Sequence, residues 1–146
     1  MNEDIVVRVK RLHPDARLPR YAHVGETGDL AADLYSADGI QLSPGETKQV
    51  STGISLGLPP GFGAVVEDRS GLATKGISTL GGIIDTGYRG ELKVILTNTS
   101  NTDFAISKGD RIAQLRIVRR IEAQFEEVEE LASTERNHSG FGSTGT

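Results

Sequence analysis

The stretch Gly81-Gly82-Ile83-Ile84-Asp85-Thr86-Gly87-Tyr88-Arg89-Gly90-Glu91 puts one carboxylate at the end of an apolar run, then a turn, then a tyrosine. A carboxylate so placed, if buried, can take a proton from an attacking water, which is general-base chemistry. The ring of Tyr88 can pack on a sugar face. A hairpin here would expose backbone N–H and C=O groups able to read the edge of a base, with Gly82 and Ile84 as the substrate-facing backbone positions. The same residues would equally serve an ordinary hairpin with a turn aspartate.

Four other segments carry polar groups of comparable interest. Asp68-Arg69-Ser70-Gly71-Leu72-Ala73 joins a guanidinium and a hydroxyl to a helix start. Helix starts leave backbone N–H groups free for phosphate, and Arg69 would add charge-assisted hydrogen bonds. The bland alternative is a capped helix beside a surface arginine. Asp33, within Ala31-Ala32-Asp33-Leu34-Tyr35-Ser36, interrupts an apolar alternation. It can help hold Mg²⁺ through waters beside a phosphate chain, or it is a strand-edge aspartate without a role. In Gly109-Asp110-Arg111-Ile112-Ala113-Gln114-Leu115, Gln114 alternates with apolar neighbours. It is either a buried amide for a ligand or structural, with Asp110 and Arg111 as a turn ion pair. Last come Arg136 and Gly140-Phe141-Gly142-Ser143-Thr144-Gly145. Small residues in series expose N–H groups that can form an anion nest, and Phe141 can stack on a base. No Gly-Lys-Ser/Thr follows, so this is not a Walker A loop. Alone it would also read as a disordered linker end.

The elements that must position these groups read as strands. Ile5 to Lys10, Glu46 to Ser51, Gly63 to Asp68, Leu92 to Asn98 and Arg111 to Val118 are short and β-branched or alternating. Ser43-Pro44-Gly45, Pro59-Pro60-Gly61 and Lys108-Gly109-Asp110 break them with turn residues. One short helix is expected at Gly71 to Lys75 with Ser70 as its N-cap. The acidic stretch 122–135 is read as a last strand and solvated spacer. The polar segment from Arg136 to Thr146 should be mobile unless something holds it.

With 146 residues the chain suits one domain: a β body over 1–135 and a flexible glycine-rich tail over 136–146, the segment that the resemblance given below makes a lid. Glycine, at 18 residues, exceeds the ~7% norm and clusters at turns and at places where backbone can approach a ligand. Cysteine is absent, which excludes disulfides and thiol nucleophiles and fits a reducing compartment. A net charge of −4 argues against non-specific nucleic-acid binding. No run approaches the ~18 apolar residues of a membrane span, and the N-terminal MNEDIVVRVK does not read as a signal peptide. His13, His23 and His138 lack zinc-ligand spacing.

Taken in order, RSGLA, GIIDTGYRGE and GFGSTG, with the Asp33 and Gln114 segments, resemble the five motifs of the trimeric dUTP pyrophosphatase family. The resemblance spans Ala31 to Gly145. It implies a jelly-roll-like distorted β-barrel or sandwich with one short helix, assembled as a homotrimer with active sites shared between subunits. It implies hydrolysis of dUTP to dUMP and pyrophosphate in the cytoplasm, by water attack at the α-phosphorus, which limits uracil incorporation into DNA and supplies dUMP for dTMP synthesis. Asp85 is then the water-activating base and Tyr88 packs on deoxyribose. Arg69, Ser70 and Gly71 bind phosphates, and Gln114 supports the α-phosphate. Arg136, Phe141, Gly142, Ser143 and Thr144 close over uracil and the distal phosphates. Asp33 orders waters around Mg²⁺, which the triphosphate mainly holds. Asp68 departs from the proline common in the family, Asn137 and Ser139 from tail glycines, and the stretch from Lys75 to Gly82 is shorter than in many bacterial members. The rivals are a dCTP deaminase, which shares the fold but lacks the Asp-Thr-Gly-Tyr signature, and a non-catalytic trimer of the same fold.

Overall fold

A computed structural model of the chain describes residues 5–142. Ser143 and Thr144, two of the expected phosphate contacts, lie outside the described residues. In chain order the elements are β1 (Arg8–Arg11), β2 (Ala32–Tyr35), β3 (Ile40–Leu42), β4 (Thr47–Gly57), β5 (Phe62–Glu67), α1 (Ser70–Ala73), β6 (Ile77–Leu80), β7 (Ile83–Ile84), β8 (Glu91–Asn98), β9 (Phe104–Ile106) and β10 (Arg111–Arg119). They build two four-stranded antiparallel sheets, β1-β4-β8-β6 and β2-β10-β5-β7, and a β3-β9 ribbon. This is the all-β sandwich with one short helix that the turn spacing suggests.

Alternation is the cause. Along β8, Leu92, Val94, Leu96 and Asn98 are buried, while Lys93 is exposed. Those leucines and valine meet Val50, Ile54 and Leu56 of β4 and Leu34, Val66 and Leu115 of the other sheet in one core. Full burial of each such side chain contributes about 1.5–3 kcal/mol.

Element ends differ from the sequence reading for local reasons. The ladder between β1 and β4 starts at Arg8 opposite Gly57, so Ile5 to Val7 precede it. Leu58-Pro59-Pro60 follows Gly57, and proline has no N–H for a ladder. Strand β4 continues past Ser51 through a register shift against β8, with Gly53 at φ 71°. Glu46 lies in the preceding turn, where the Ser43 N–H bonds its carboxylate and holds that carboxyl below its usual range.

Three expectations are corrected. First, β7 and β8 are not two arms of one hairpin: β7 pairs with β5, and β8 pairs with β4 and β6. Gly81 and Gly82, at φ 71° and 101°, carry the chain from one sheet to the other. Second, the N-cap of α1 is Arg69, without a side-chain bond, and Ser70 is the first helical residue. Third, no strand lies in 122–135: among the described residues β10 is the last strand, and those beyond it are irregular and mostly exposed. Ile121, Phe125 and Leu131 find no surface of their own chain, at 87%, 98% and 86% exposure.

Asn98 is fully buried and ties three segments together. Its amide nitrogen donates to the carbonyls of Leu42 (3.0 Å) and Thr102 (2.8 Å), and its oxygen accepts from the N–H and hydroxyl of Ser100. Asn98→Leu removes the buried bond to the Leu42 carbonyl and the ties to Ser100 and Thr102 nearer the surface, and should cost about 3 kcal/mol. Chemical denaturation with the slope unchanged checks it.

Candidate active site

Asp33, Arg69 and Gln114 come together because β10 is a central strand. It pairs on one side with β2, setting Gln114 opposite Asp33, and on the other with β5, setting Gln114 opposite Glu67. The Asp33 backbone is held from the other flank by paired bonds with Arg20. Its half-buried carboxylate faces Arg69 Nε at 3.7 Å and Arg111 Nη1 at 3.8 Å. Arg69 also donates to the Arg111 carbonyl at 3.4 Å. The expected Asp110–Arg111 turn ion pair does not form. Asp110 accepts the Ser107 N–H at 2.8 Å, and Arg111 turns to Asp33.

Gln114 has a structural bond: its amide nitrogen donates to the Asp68 carbonyl at 2.9 Å. It is half-buried rather than enclosed. Beside it, Leu72 and Ala73 donate their N–H groups to the Arg69 carbonyl. Among the described residues the N–H groups of Ser70 and Gly71 have no acceptor. A Cβ at Gly71 would meet nothing within 4 Å, so this turn is open to approach. Two guanidinium groups and two free N–H donors make an anion-receptive corner.

The Asp85 turn is a second site with its own walls. Val66 donates its N–H to the Gly82 carbonyl at 2.7 Å, and Ala64 pairs with Ile84. A Cβ on Gly82 would lie 2.5 Å from the Val66 oxygen, so contact this close requires glycine. The turn closes through the Tyr88 N–H to the Asp85 carbonyl (3.1 Å). The Thr86 hydroxyl anchors it to the Phe62 carbonyl (2.5 Å), and Arg89 binds the carbonyls of Thr86 and Tyr88. Tyr88 folds back over Gly90, where a Cβ would meet its hydroxyl at 2.5 Å, and donates to the Glu91 carbonyl at 2.8 Å. Contrary to the expectation of a buried carboxylate, Asp85 is exposed in the single chain.

A cavity of about 240 Å³ sits at this turn, lined by Gln49, Ile83, Ile84, Asp85, Tyr88, Glu91, Lys93 and Ile95. None of Asp33, Arg69, Ser70, Gly71 or Gln114 lines it. Glu91 was not read as a working residue. It accepts the Gly53 N–H at 3.0 Å and the Ser51 hydroxyl, and so braces the β4 bulge behind the cavity. Its only sequence signal was its place at the end of the GIIDTGYRGE motif; Gln49 and Lys93 had none, and Arg111 was read only as a turn partner of Asp110.

Arg136 and its neighbours stand apart from both groups. Arg136 donates to the Ser139 carbonyl at 2.7 Å, and Asn137 exchanges bonds with Thr134. Asn137 has φ 50°, which asparagine tolerates better than most residues, so its place in a glycine-rich tail is accounted for. Phe141 is fully exposed and Gly142 follows at φ 81°.

Solved structures share this architecture. The dUTPase of Staphylococcus bacteriophage 80alpha with dUPNHPP is similar at a TM-score of 0.84 and 29% identity, covering 97% of this chain and 99% of that one. A mutant dUTPase from phage phi11 of S. aureus, described with a structural Mg(II) ion, is similar at 0.78 and 26% identity, covering 88% and 99%. The family model for dUTPase matches residues 20–145. The deoxyuridine 5'-triphosphate nucleotidohydrolase of Thermobifida fusca is 49% identical over 143 residues, covering 95% of this chain and 78% of that protein. Its counterpart from Clostridioides difficile is 46% identical over 142 residues, covering 95% and 97%. The chain belongs to the dUTPase family.

Gly82→Ala should lower stability by about 2 kcal/mol, from its positive φ and the Val66 clash together. Gly87→Ala, with nothing within 4 Å of the added methyl, should stay within about 0.5 kcal/mol of wild type. Hydrogen exchange at the Val66 amide reads the difference: protection should fall in the first variant and persist in the second.

Proposed function

We propose that this chain hydrolyses dUTP to dUMP and pyrophosphate, with Asp85 as the general base. The observation that carries the reading is the Asp85–Tyr88 turn beside a cavity of nucleoside size, in a dUTPase-family chain. Asp85 takes a proton from the water that attacks the α-phosphorus. Tyr88, 46% exposed at the cavity, packs its ring on the deoxyribose and disfavours a 2′-hydroxyl. Backbone groups at Gly82 and Ile84 read uracil, and a pocket floor without room for a 5-methyl group rejects dTTP. A cytosine edge would leave buried polar groups mismatched, which is costly.

Arg69, Ser70 and Gly71 take the phosphates through the guanidinium and the two free N–H groups, with Gln114 holding that turn in place. Among the described residues no three His, Cys, Asp or Glu side chains gather to hold a metal. Asp33, with its two arginine neighbours, therefore fits an ion carried on the triphosphate, contacted through waters. A bound Mg²⁺ would supply charge neutralisation of the phosphate chain.

The working enzyme is a homotrimer whose sites combine groups from different subunits. The separation of the phosphate corner from the Asp85 cavity supports this. So do Ile121, Phe125 and Leu131, which are exposed without a partner surface, and an apolar cleft of about 890 Å³ lined in part by Val7, Leu18, Val24, Leu30 and Ile117. Arg136, Phe141, Gly142, Ser143 and Thr144 form the lid over the bound nucleotide, with Phe141 stacked on uracil. The reaction is placed in the cytoplasm, which fits a chain without cysteine. No helix among the described residues is long and apolar enough to cross a membrane.

Asp85→Asn should keep nucleotide affinity and lose about 10²–10⁴ in turnover, measured as pyrophosphate release. Wild-type kcat in that variant would remove Asp85 from the role. Deleting residues 136–146 should leave the melting temperature nearly unchanged, since Phe141 is fully exposed, and abolish most dUTP hydrolysis. Unfolding of the truncated chain would make the tail structural, and unchanged turnover would remove the lid.

A further inference from the structure

Asp68 has no role in the chemistry above, yet it sits where three strands meet. Its Oδ1 accepts the Thr79 N–H at 2.6 Å and the Thr79 hydroxyl at 2.5 Å. Its carbonyl accepts the Gln114 amide at 2.9 Å. It directly follows β5, in one sheet, while Thr79 lies in β6, in the other. The carboxylate therefore ties the two sheets together across the mouth of the loop that carries Arg69, Ser70, Gly71 and α1. Within α1 the loop has weak anchors, since Leu72 is its one buried residue and the helix has no side-chain cap; its other ties are the long Arg69 contacts to Asp33 and the Arg111 carbonyl at one end and the Thr99 bonds to the Gly76 carbonyl at the other.

Resting on the dUTP reading, we propose that Asp68 is a positioning residue that fixes the Arg69-Ser70-Gly71 turn for phosphate binding. The physical case is one of preorganisation. A loop tied at its mouth presents the guanidinium and the two N–H groups in one arrangement, whereas a released loop must be ordered by the ligand, at a cost in affinity. The same bond holds β6, which leads through Gly81 and Gly82 to the Asp85 turn. Asp68 thus sets the phosphate corner against the strand that feeds the nucleoside pocket.

The test compares wild type, Asp68→Ala and Asp68→Asn in two measurements: inorganic triphosphate binding by calorimetry, and dUTP hydrolysis. Asp68→Ala should weaken triphosphate binding and raise the KM for dUTP by about tenfold, with kcat within about twofold. Asp68→Asn keeps an acceptor oxygen for Thr79 and should return both values to wild type or better. A role confined to overall stability would lower the melting temperature and the active fraction without moving KM. Unchanged triphosphate affinity in Asp68→Ala would overturn the proposal, as would an Asn variant as impaired as Ala, or a wild-type chain that binds no triphosphate. Should Asp68→Ala fail to fold, Thr79→Val removes only the hydroxyl bond and should shift KM the same way by about threefold; no shift there also overturns it. Wild type that binds triphosphate without hydrolysing dUTP sinks the functional reading alone, and the triphosphate titration still decides Asp68.

Discussion

The Val66 amide donates to the Gly82 carbonyl at 2.7 Å, and the whole Asp85 turn is placed through that contact. Strand β6 ends in one sheet and β7 begins in the other, so the chain must cross between sheets within two residues. Glycine suits both positions: Gly81 has a positive φ that glycine adopts at no steric cost, and Gly82 has a positive φ and β5 backbone where a Cβ would be. Beyond the crossing, Thr86 on Phe62 and Tyr88 over Gly90 leave the turn few alternatives. Such rigidity suits the general-base role proposed for Asp85, because a general base must hold its water within hydrogen-bond reach of the reacting centre.

The same crossing divides the polar groups. Asp33, Arg69 and Gln114 gather around β10, while Asp85 and Tyr88 open into a separate cavity braced by Glu91. Meanwhile the chain after β10 leaves its apolar residues in solvent. The proposed trimer resolves both at once: a neighbouring copy would cover the apolar residues and complete each site.

Much of this was legible in the sequence because it depends on period and order. The alternation in Leu92 to Asn98 and Arg111 to Val118 marks strands whose observed bounds differ by only a residue. The ordered motifs identify the family without reference to coordinates. What was not legible depends on register. A hairpin around Asp85 was expected because Ile83-Ile84 and Glu91 onward flank a turn, but strand partners are chosen by distant surfaces, and β5 takes β7. The Arg111–Asp33 pair follows an irregular register in β10 that no local pattern announces. Glu91 works through the β4 bulge, an equally non-local feature. The acidic stretch 122–135 was read as a last strand and solvated spacer; the spacer half agrees with its exposure, whereas a strand needs a ladder partner, and none of the described strands pairs with it.

The central claim is that one subunit's Asp85 works beneath another subunit's tail, and subunit mixing tests it most directly. An Asp85→Asn chain keeps an intact tail and lacks the base. A chain truncated after Glu135 keeps the base and lacks the tail. Each alone should be nearly inactive. Unfolded together and refolded as mixed trimers, they should recover dUTP hydrolysis well above the sum of the separate preparations, because some sites then pair a wild-type Asp85 with an intact tail. Mixed trimers no more active than the two parents would show that base and tail come from the same chain, and would contradict the account.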